Sequence, residues 1–433
     1  MAETRSPAGS PGSTPGAMRR AAIAFVFITV LLDILALGIV IPVLPNLVTG
    51  FQGGDAGRGA EVYGLFGFVW ALMQFLFSPL LGALSDRFGR RPVILASNLG
   101  LGLDYALMAL APSLGWLLAG RVVSGITSAS ISTAGAYIAD VTPPERRAAG
   151  FGMLGAAFGL GFVLGPALGG VLGGVDPRLP FWVAGGLSLA NWMYGVLILP
   201  ESLPADRRTP RIVWGKANPL GALALLRTDP QLLAMAGIML LYSLAHEVLP
   251  STFVLYATHR YGWDGTVTGL TLAAVGVASL AVQGGLVRPV VARFGERRAL
   301  VAGLGFGTLG FVVYGLAPTG VLFWAGIPLM ALWGLTGPAV QSLMTRRVAA
   351  SSQGRLQGAV NSLRSLTGMF GPVLFTFVFA AAIRPGGGLD LPGAPFLLAA
   401  LILAAAAVFA LRVTRGFGSQ GPVTRRNAPG RPA

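Results

Sequence analysis

Three charged side chains lie inside runs of apolar residues that are long enough to cross a lipid bilayer. Asp33, Asp104 and Arg121 are each flanked on both sides by aliphatic and small residues. A charge at the centre of a membrane helix costs about 2.5–3.5 kcal/mol on insertion scales, so each one requires a partner or a function. From a helical rise of about 1.5 Å per residue, each lies about 18 Å from the same side of the membrane. The sequence therefore predicts that all three share one layer of the N-terminal half.

Two carboxyl groups and one guanidinium at the same depth suit the transfer of protons. A carboxyl group in a dry cavity favours its protonated form, whereas a neighbouring arginine favours the ionised form. A carboxyl group that alternates between two such environments binds a proton on one side of the membrane and releases it on the other. The alternative is a static buried ion pair, and the sequence leaves it open.

Four further polar residues within apolar runs of the C-terminal half are candidates for substrate binding or proton coupling: His246, Glu247, Gln283 and Arg364. His246 and Glu247 could line a cavity or face external water. Arg364 could bind an anionic substrate or extend its long side chain toward the nearer aqueous phase.

Composition identifies an integral membrane protein. Charged residues make up 11% of the 433 residues and hydrophobic residues 54%, with a mean hydropathy of +0.71. Soluble domains have about 25% charged residues. The net charge of +15 does not indicate nucleic-acid binding, because the basic residues lie in short loops between apolar runs. With no cysteine and two histidines, we expect no metal site and no cofactor. We also do not expect an enzyme, because the sequence shows no set of a nucleophile and a neighbouring base.

Apolar runs of about 20 residues predict an all-α integral membrane fold of twelve transmembrane helices. The N-terminal half, 21–199, contains the runs 21–48, 61–84, 93–111, 114–141, 148–173 and 179–199. The C-terminal half, 229–411, contains the runs 229–257, 266–290, 299–317, 321–345, 356–383 and 391–411. We expect a polar linker at 200–228 and disordered tails at 1–20 and 412–433.

The distribution of basic residues predicts the orientation in the membrane. Twenty-five lysines and arginines lie in the tails and in loops on one side, and four lie in loops on the other. Because basic loops stay in the cytoplasm, both termini are expected there, in a bacterial-type inner membrane.

The two halves also resemble each other in sequence. Arg87-Phe88-Gly89 recurs as Arg293-Phe294-Gly295, and Gly165-Pro166 recurs as Gly371-Pro372, both at a displacement of 206 residues. Two parallel six-helix repeats are typical of one transporter architecture, in which the substrate site lies between the halves at mid-membrane.

Two glycine-rich motifs resemble those of the major facilitator superfamily. The loop GALSDRFGRRP at 82–92 resembles its signature loop, which implies a gating function for Gly82, Asp86, Arg87, Gly89, Arg90 and Arg91. Asp140 either belongs to this gate or pairs with Arg146 or Arg147. The motif GFVLGPALGG at 161–170 resembles the drug–proton antiporter motif and contains Gly161, Gly165, Pro166, Gly169 and Gly170. A plain close-packing surface is the alternative for these glycines.

Within that superfamily the chain is most similar to the tetracycline-type exporters, through the motifs GLDY at 102–105, GRVVSGIT at 120–127 and RYGW at 260–263. The resemblance implies antiport of protons against a small amphipathic compound, with Asp33, Asp104 and Arg121 as important residues and a monomeric chain. A sugar or metabolite importer of the same fold, and a receptor or scaffold that does not transport, are the alternatives.

The sequence departs from the tetracycline exporters in its C-terminal half. Their ninth helix carries an essential acid and their eighth a histidine, whereas Gly307 and Ser279 occupy those places here. We therefore expect weak or no recognition of a metal–tetracycline chelate, and export of other lipophilic compounds.

Overall fold

The computed structural model describes residues 15–128, 130–142, 147–210, 221–349, 352–386 and 390–414. Every regular element in these ranges is helical. The predicted tail residues before 15 and after 414, and the central part of the predicted linker, 211–220, lie outside the described residues.

The described part of the N-terminal half contains eight α-helices. They are α1 (Pro15–Val40), α2 (Leu44–Phe51), α3 (Ala56–Phe88), α4 (Arg90–Leu110), α5 (Leu114–Thr127), α6 (Ser130–Val141), α7 (Arg147–Val175) and α8 (Leu179–Ile198). A short 3₁₀ turn at Ala205–Arg207 and a second at Gly221–Thr228 lie in the linker.

In the C-terminal half, nine α-helices are present among the described residues. They are α9 (Pro230–His246), α10 (Val248–Tyr261), α11 (Gly265–Ala281), α12 (Val287–Leu316), α13 (Gly320–Ala325), α14 (Ile327–Leu332), α15 (Thr336–Thr345), α16 (Gln353–Ala382) and α17 (Ala394–Val413). A π-helical turn, Val282–Leu286, joins α11 to α12.

These helices form the twelve predicted spans. Ten segments of the described residues are long and apolar enough to cross a membrane. One of them, Gly265–Leu316, has 52 residues and is divided at Gly295, whose φ of 80° and ψ of 160° are not helical, so it supplies spans 8 and 9. Span 4 consists of α5 and α6, each too short to cross alone. The predicted all-helical membrane fold is confirmed.

Several spans differ in detail from the continuous helices that were predicted. The first begins at Pro15, inside the predicted tail, and is broken between α1 and α2, where Pro45 begins the second helix. The seventh is broken at Glu247 and the tenth at Gly326. Because apolar composition is the same in straight and interrupted helices, these breaks left little trace in the hydropathy pattern.

Acidic side chains fix where several spans begin. Asp55, Asp229 and Asp264 precede α3, α9 and α11, and each accepts a hydrogen bond from a backbone N–H of the first turn. Such caps satisfy donors that have no partner within the helix. These caps determine where the three helices begin, and their carboxylates are not buried in the membrane interior.

The two halves pack their spans in the same order. Span 1 packs on span 5, span 3 on span 6, and span 2 on span 4 in the N-terminal half, and spans 7 to 12 repeat the corresponding pairs. Between the halves, α3 packs on α16 and α7 packs on α11. Spans 2 and 5 therefore face spans 11 and 8.

Two ends of the molecule are distinguished below. The linker face carries Gly89, Gly295 and residues 200–210, and the opposite face carries the turns before α3, α5 and α11. On the opposite face α7 and α11 touch closely, since a Cβ at Gly170 would lie 2.2 Å from the carbonyl oxygen of Gly265. Nearer the linker face, Gly155 and Gly284 of the same two spans have open space around them. The halves thus separate toward the linker face.

Candidate functional site

Asp33 lies in a cage of amide groups in the N-terminal half. Its side chain is 5% exposed. Asn191 of span 6 donates its Nδ2 to Asp33 Oδ1 at 2.9 Å and to the carbonyl oxygen of Thr29 at 3.0 Å. Asn98 of span 3, with its amide nitrogen turned toward Asp33, donates to both carboxylate oxygens at 3.3 Å. These hydrogen bonds tie span 1 to spans 3 and 6.

Asp104 and Arg121 form a separate ion pair between spans 3 and 4. Arg121 Nη2 lies 3.8 Å from Asp104 Oδ2 and 3.6 Å from the sulfur of Met108. The two side chains are 0% and 10% exposed. Neither Asp104 oxygen accepts a hydrogen bond of normal geometry among the described residues; besides Arg121, the Ser124 hydroxyl is the polar group that interacts with the carboxyl group. A buried acceptor without a donor costs about 1–3 kcal/mol, so this is a charge held in an unfavourable setting.

The structure therefore brings together two of the three predicted core charges. Asp104 and Arg121 make the pair, whereas Asp33 is held by the two asparagines. Asn98 and Asn191 were missed because an amide in an apolar run carries no charge. They are nevertheless almost fully buried, at 1% and 0% exposure, and a search for any polar residue in an apolar run would have found them.

The C-terminal half contains an open cavity of about 410 Å³ that faces the gap between the halves. Its walls come from spans 7, 8, 10 and 11, and they are polar where they surround the space. The lining residues are Tyr242, Gln283, Gly334, Gly337, Pro338, Gln341, Gln357, Val360 and Arg364. Two of the predicted site residues, Gln283 and Arg364, thus lie on one cavity. Gln341 and Gln357 were not singled out.

His246 and Glu247 lie at the break in span 7. The ring of His246 lies against Trp333, with centroids 5.6 Å apart. Glu247 packs against span 11, where a Cβ at Gly371 would lie 2.5 Å from the Glu247 Cβ. Glu247 thus lies between span 7 and span 11, farther from the linker face than Arg364.

The place of the acid in the ninth span is filled by an aromatic ring. A Cβ at Gly307 would lie 2.5 Å from Cδ1 of Trp333 and 2.8 Å from a methyl carbon of Leu403. Trp333 itself is 4% exposed. A side chain larger than hydrogen at Gly307 therefore does not fit, which gives a packing reason for the missing acid.

The loop between α3 and α4 turns at Gly89, whose φ of 108° is in the region that favours glycine. The Glu201 carboxylate, from the start of the linker, accepts hydrogen bonds from the backbone N–H of Arg90 at 2.8 Å and of Arg91 at 3.3 Å. A carboxylate at a helix N-terminus stabilises unpaired N–H groups. A Cβ at Gly89 would lie 2.1 Å from Glu201, so this cap requires glycine there.

Arg90 is the centre of the charged network at this loop. It donates to Asp140 Oδ2 at 3.0 Å and to Asp86 Oδ1 at 2.5 Å. Ser202 also donates to Asp140, at 3.3 Å. Asp140 therefore contacts the loop; Arg146 and the side chain of Arg147 lie outside the described residues, so the alternative pairing stays a prediction.

The remaining predicted loop residues lie around this network. Arg91 donates to the carbonyl oxygen of Val196 at 2.7 Å, and the guanidinium of Arg87 lies over the Phe88 ring at 5.1 Å. Gly82 has open space around it. Glu201 was missed, because it lies in a polar linker where an acid looks ordinary.

The glycines of the 161–170 motif contact two different helices. Toward span 1, a Cβ at Gly165 would lie 2.7 Å from the Gly38 Cα, and one at Gly169 would lie 2.0 Å from the Ile39 carbonyl oxygen. Toward span 8 of the other half, the Pro166 carbonyl oxygen lies 2.2 Å from a Cβ placed at Gly269. Gly161 faces Ile34, and Gly170 faces Gly265. This surface serves both packing within the half and contact between the halves.

Polar contacts also join the halves on the opposite face. Arg384 lies 3.5 Å from Glu61, and the Tyr63 hydroxyl donates to the Pro250 carbonyl oxygen at 3.3 Å. A cavity of about 630 Å³ next to the ion pair is lined by residues of both halves, including His259.

Comparisons with known proteins agree with this architecture. The chain is 39% identical to the class C tetracycline resistance protein of Escherichia coli over 364 residues, covering 83% of this chain and 90% of that protein. It is 37% identical to the class G protein of Vibrio anguillarum over 374 residues, covering 86% and 93%. The human organic anion transporter MFSD10 has a similar structure, with a TM-score of 0.68 at 25% identity, covering 90% of this chain and 99% of that one.

The predicted similarity to tetracycline-type exporters and the prediction of a transporter rather than an enzyme are both confirmed by these relatives. Residues 26–372 match the profile of the Major Facilitator Superfamily. The chain is a multi-pass membrane protein and belongs to the Major Facilitator Superfamily.

Proposed function

We propose that this transporter exports a small amphipathic compound in exchange for protons. The observation that carries the proposal is the Asp104–Arg121 pair, which is buried between spans 3 and 4. A proton on Asp104 removes its charge and with it the attraction to Arg121. The contact between the two spans is then different in the two protonation states, and that difference can bias a conformational equilibrium.

The predicted orientation gives this exchange a direction. The excess of basic residues places the linker face in the cytoplasm. Since the halves touch on the opposite face, the cavity beside Arg364 is open to the cytoplasm in this conformation. Substrate enters here, and rocking of the halves about the α3–α16 and α7–α11 contacts exposes it to the other side. A single chain contains both halves, so a monomer suffices, and the proton gradient supplies the energy without a cofactor.

The loop at 82–92 is proposed to be a gate on the cytoplasmic side. In this conformation the Asp86 side chain pairs with Arg90 of its own half, and it makes no hydrogen bond or ion pair with the start of span 11, near Leu356, among the described residues. In the released state of the proposed gate, Asp86 makes no contact with the other half, and this conformation fits that state. In the other state, the halves approach on the linker face and Asp86 reaches the positive end of α16.

The substrate range is proposed to be lipophilic and distinct from the metal–tetracycline chelate. Two relatives are named for tetracycline resistance, but Trp333 fills the space beside Gly307 where those exporters carry their acid. A sugar importer of the same fold is not favoured, because the motif at 161–170 resembles that of drug–proton antiporters.

The test is a measurement of proton movement in inverted vesicles. Substrate addition should drive proton flux in the unchanged protein, and Asp104→Asn should remove it while the protein remains folded. Asp206→Asn changes an exposed linker acid and is the matched control, with flux expected to be unchanged. Normal flux in the Asp104→Asn protein would rule out the proposed coupling.

A further inference from the structure

A cation without a counter-ion lies on the cavity of the C-terminal half. Arg364 is on the exposed face of α16 that lines the space of about 410 Å³, and no ion pair to it is present among the described residues. Within a membrane such a charge is unfavourable unless it has a partner or a water-filled cavity. Arg121, which also lies within an apolar run, is already paired with Asp104.

The acidic residue Glu247 packs against α16, the same helix as Arg364, but does not neutralise the arginine. Glu247 approaches α16 one turn further along, where its Oε1 lies 4.0 Å from a Cβ placed at Gly368. One turn of helix separates Gly368 from Arg364 by about 6 Å along the axis. The space beside the guanidinium is therefore left for a negative charge that no described residue supplies.

The cavity also offers hydrogen-bond groups that lack partners. Gln341 Nε2, shielded from solvent, has no acceptor among the described residues. Gln283 on span 8 and Gln357 on span 11 line the same space. Buried donors are normally satisfied, so the arrangement is incomplete without an acceptor-rich ligand.

One wall is aromatic. The Tyr242 ring packs edge-on against Trp333, with centroids 5.3 Å apart, and its hydroxyl lies 3.2 Å from a Cβ placed at Gly337. A flat ring system can lie along Tyr242 while a charged substituent reaches Arg364.

We infer that this cavity binds amphipathic compounds that carry an anionic group, a carboxylate, enolate or phenolate, with the anion against Arg364 and the ring system along Tyr242. This inference rests on the proposed export function and names its substrate class. Export of an anion in exchange for a proton moves net positive charge inward. Transport of this class is then driven by the membrane potential as well as by the pH gradient.

The test uses pairs of probes that differ only in charge: flat aromatic carboxylic acids of one to three rings, such as 9-anthracenecarboxylate, and their methyl esters. Binding to the purified full-length protein is measured at one pH without any gradient. The acid should bind about tenfold or more tightly than its ester, the usual worth of a hydrogen bond to a charged group. Arg364→Gln should bring the ratio close to one, and Arg364→Lys should restore part of it.

Two control variants separate this inference from the proposed coupling. Arg355→Gln removes an exposed arginine from the same helix, outside the cavity, and should keep the full ratio. Asp104→Asn should also keep it, because any change in affinity that depends on Asp104 acts on the acid and on its ester alike; normal proton flux in Asp104→Asn with an intact ratio would overturn the coupling proposal alone. Equal binding of acid and ester, binding of neither member of any pair, or an unchanged ratio in Arg364→Gln would overturn the inference.

Discussion

The two halves pack their spans in the same order, but the surroundings of their interior polar side chains differ. In the N-terminal half the interior charges are buried and held by the protein itself: Asp33 by two asparagines and Asp104 by Arg121. In the C-terminal half Arg364 and three glutamines line an open cavity, and no described residue forms an ion pair with Arg364. This difference underlies the proposal that one repeat holds and releases a proton and the other holds a ligand.

The loops that join spans 2 and 3 and spans 8 and 9 show the same contrast on a smaller scale. Gly89 and Gly295 both have positive φ angles, 108° and 80°, and in each loop an arginine lies over the next phenylalanine. Only Gly89 is in contact with another segment, the Glu201 carboxylate, whereas Gly295 has open space around it. The N-terminal loop is thus fixed by the linker.

The largest expected effect is from Asp33→Asn. Two amide groups donate to the Asp33 carboxylate, and an asparagine in its place would present an NH₂ group to one of those donors. Substrate-dependent proton flux in inverted vesicles should be abolished, with the C-terminal cavity still able to bind ligand. An Asp33→Asn protein with normal flux would show that the N-terminal half does not have the function assigned to it.

A second prediction asks whether an acid can be introduced into the C-terminal half. Gly307→Asp would force a carboxylate into the space filled by Trp333 and Leu403. Overpacking alone costs about 1–3 kcal/mol, and a buried charge adds to it. The unfolding midpoint should fall and tetracycline efflux should not appear. Gly305→Asp, on the same helix with open space around it, is the control. Strong magnesium-dependent tetracycline efflux by the Gly307→Asp protein would contradict the packing argument.

A third prediction compares the two loops directly. Glu201→Gln removes charged hydrogen bonds to the first turn of α4, each worth about 1.5–3 kcal/mol at most. Glu296→Gln removes an ion pair to Arg346, whose side chain is 67% exposed, and such pairs contribute about 0–1 kcal/mol. Denaturant unfolding of both variants should show the larger loss for Glu201→Gln. An equal or reversed order would mean that the linker does not fix the N-terminal loop.

The smallest expected effect is from Asp86→Asn. A contact with the start of α16 made in only one state is worth about 0.3–2 kcal/mol, which is a shift of roughly two- to thirtyfold in the conformational balance. Transport should fall with little loss of ligand affinity. The chain has no cysteine, so cysteine pairs placed on each face can report the balance by cross-linking. Lost transport with unchanged cross-linking would exclude the gate.

The sequence predicted the membrane fold and most site residues because charge in an apolar run is conspicuous. Asp104, Arg121 and Arg364 were found in this way. It did not predict that Asp33 stands apart from the other two, since spacing along a helix gives depth but not the direction of a side chain. Glu201 was missed for a different reason: its partners are backbone N–H groups of Arg90 and Arg91, and these leave no mark on residue types.

Proton release on ligand binding tests the division between the halves most directly. Purified protein in weakly buffered solution is titrated with an exported compound, and the pH change and the amount bound are recorded together. The account predicts proton release by the unchanged protein, binding without release by Asp104→Asn, and binding weakened about tenfold or more by Arg364→Gln. Proton release by Asp104→Asn equal to that of the unchanged protein would contradict it.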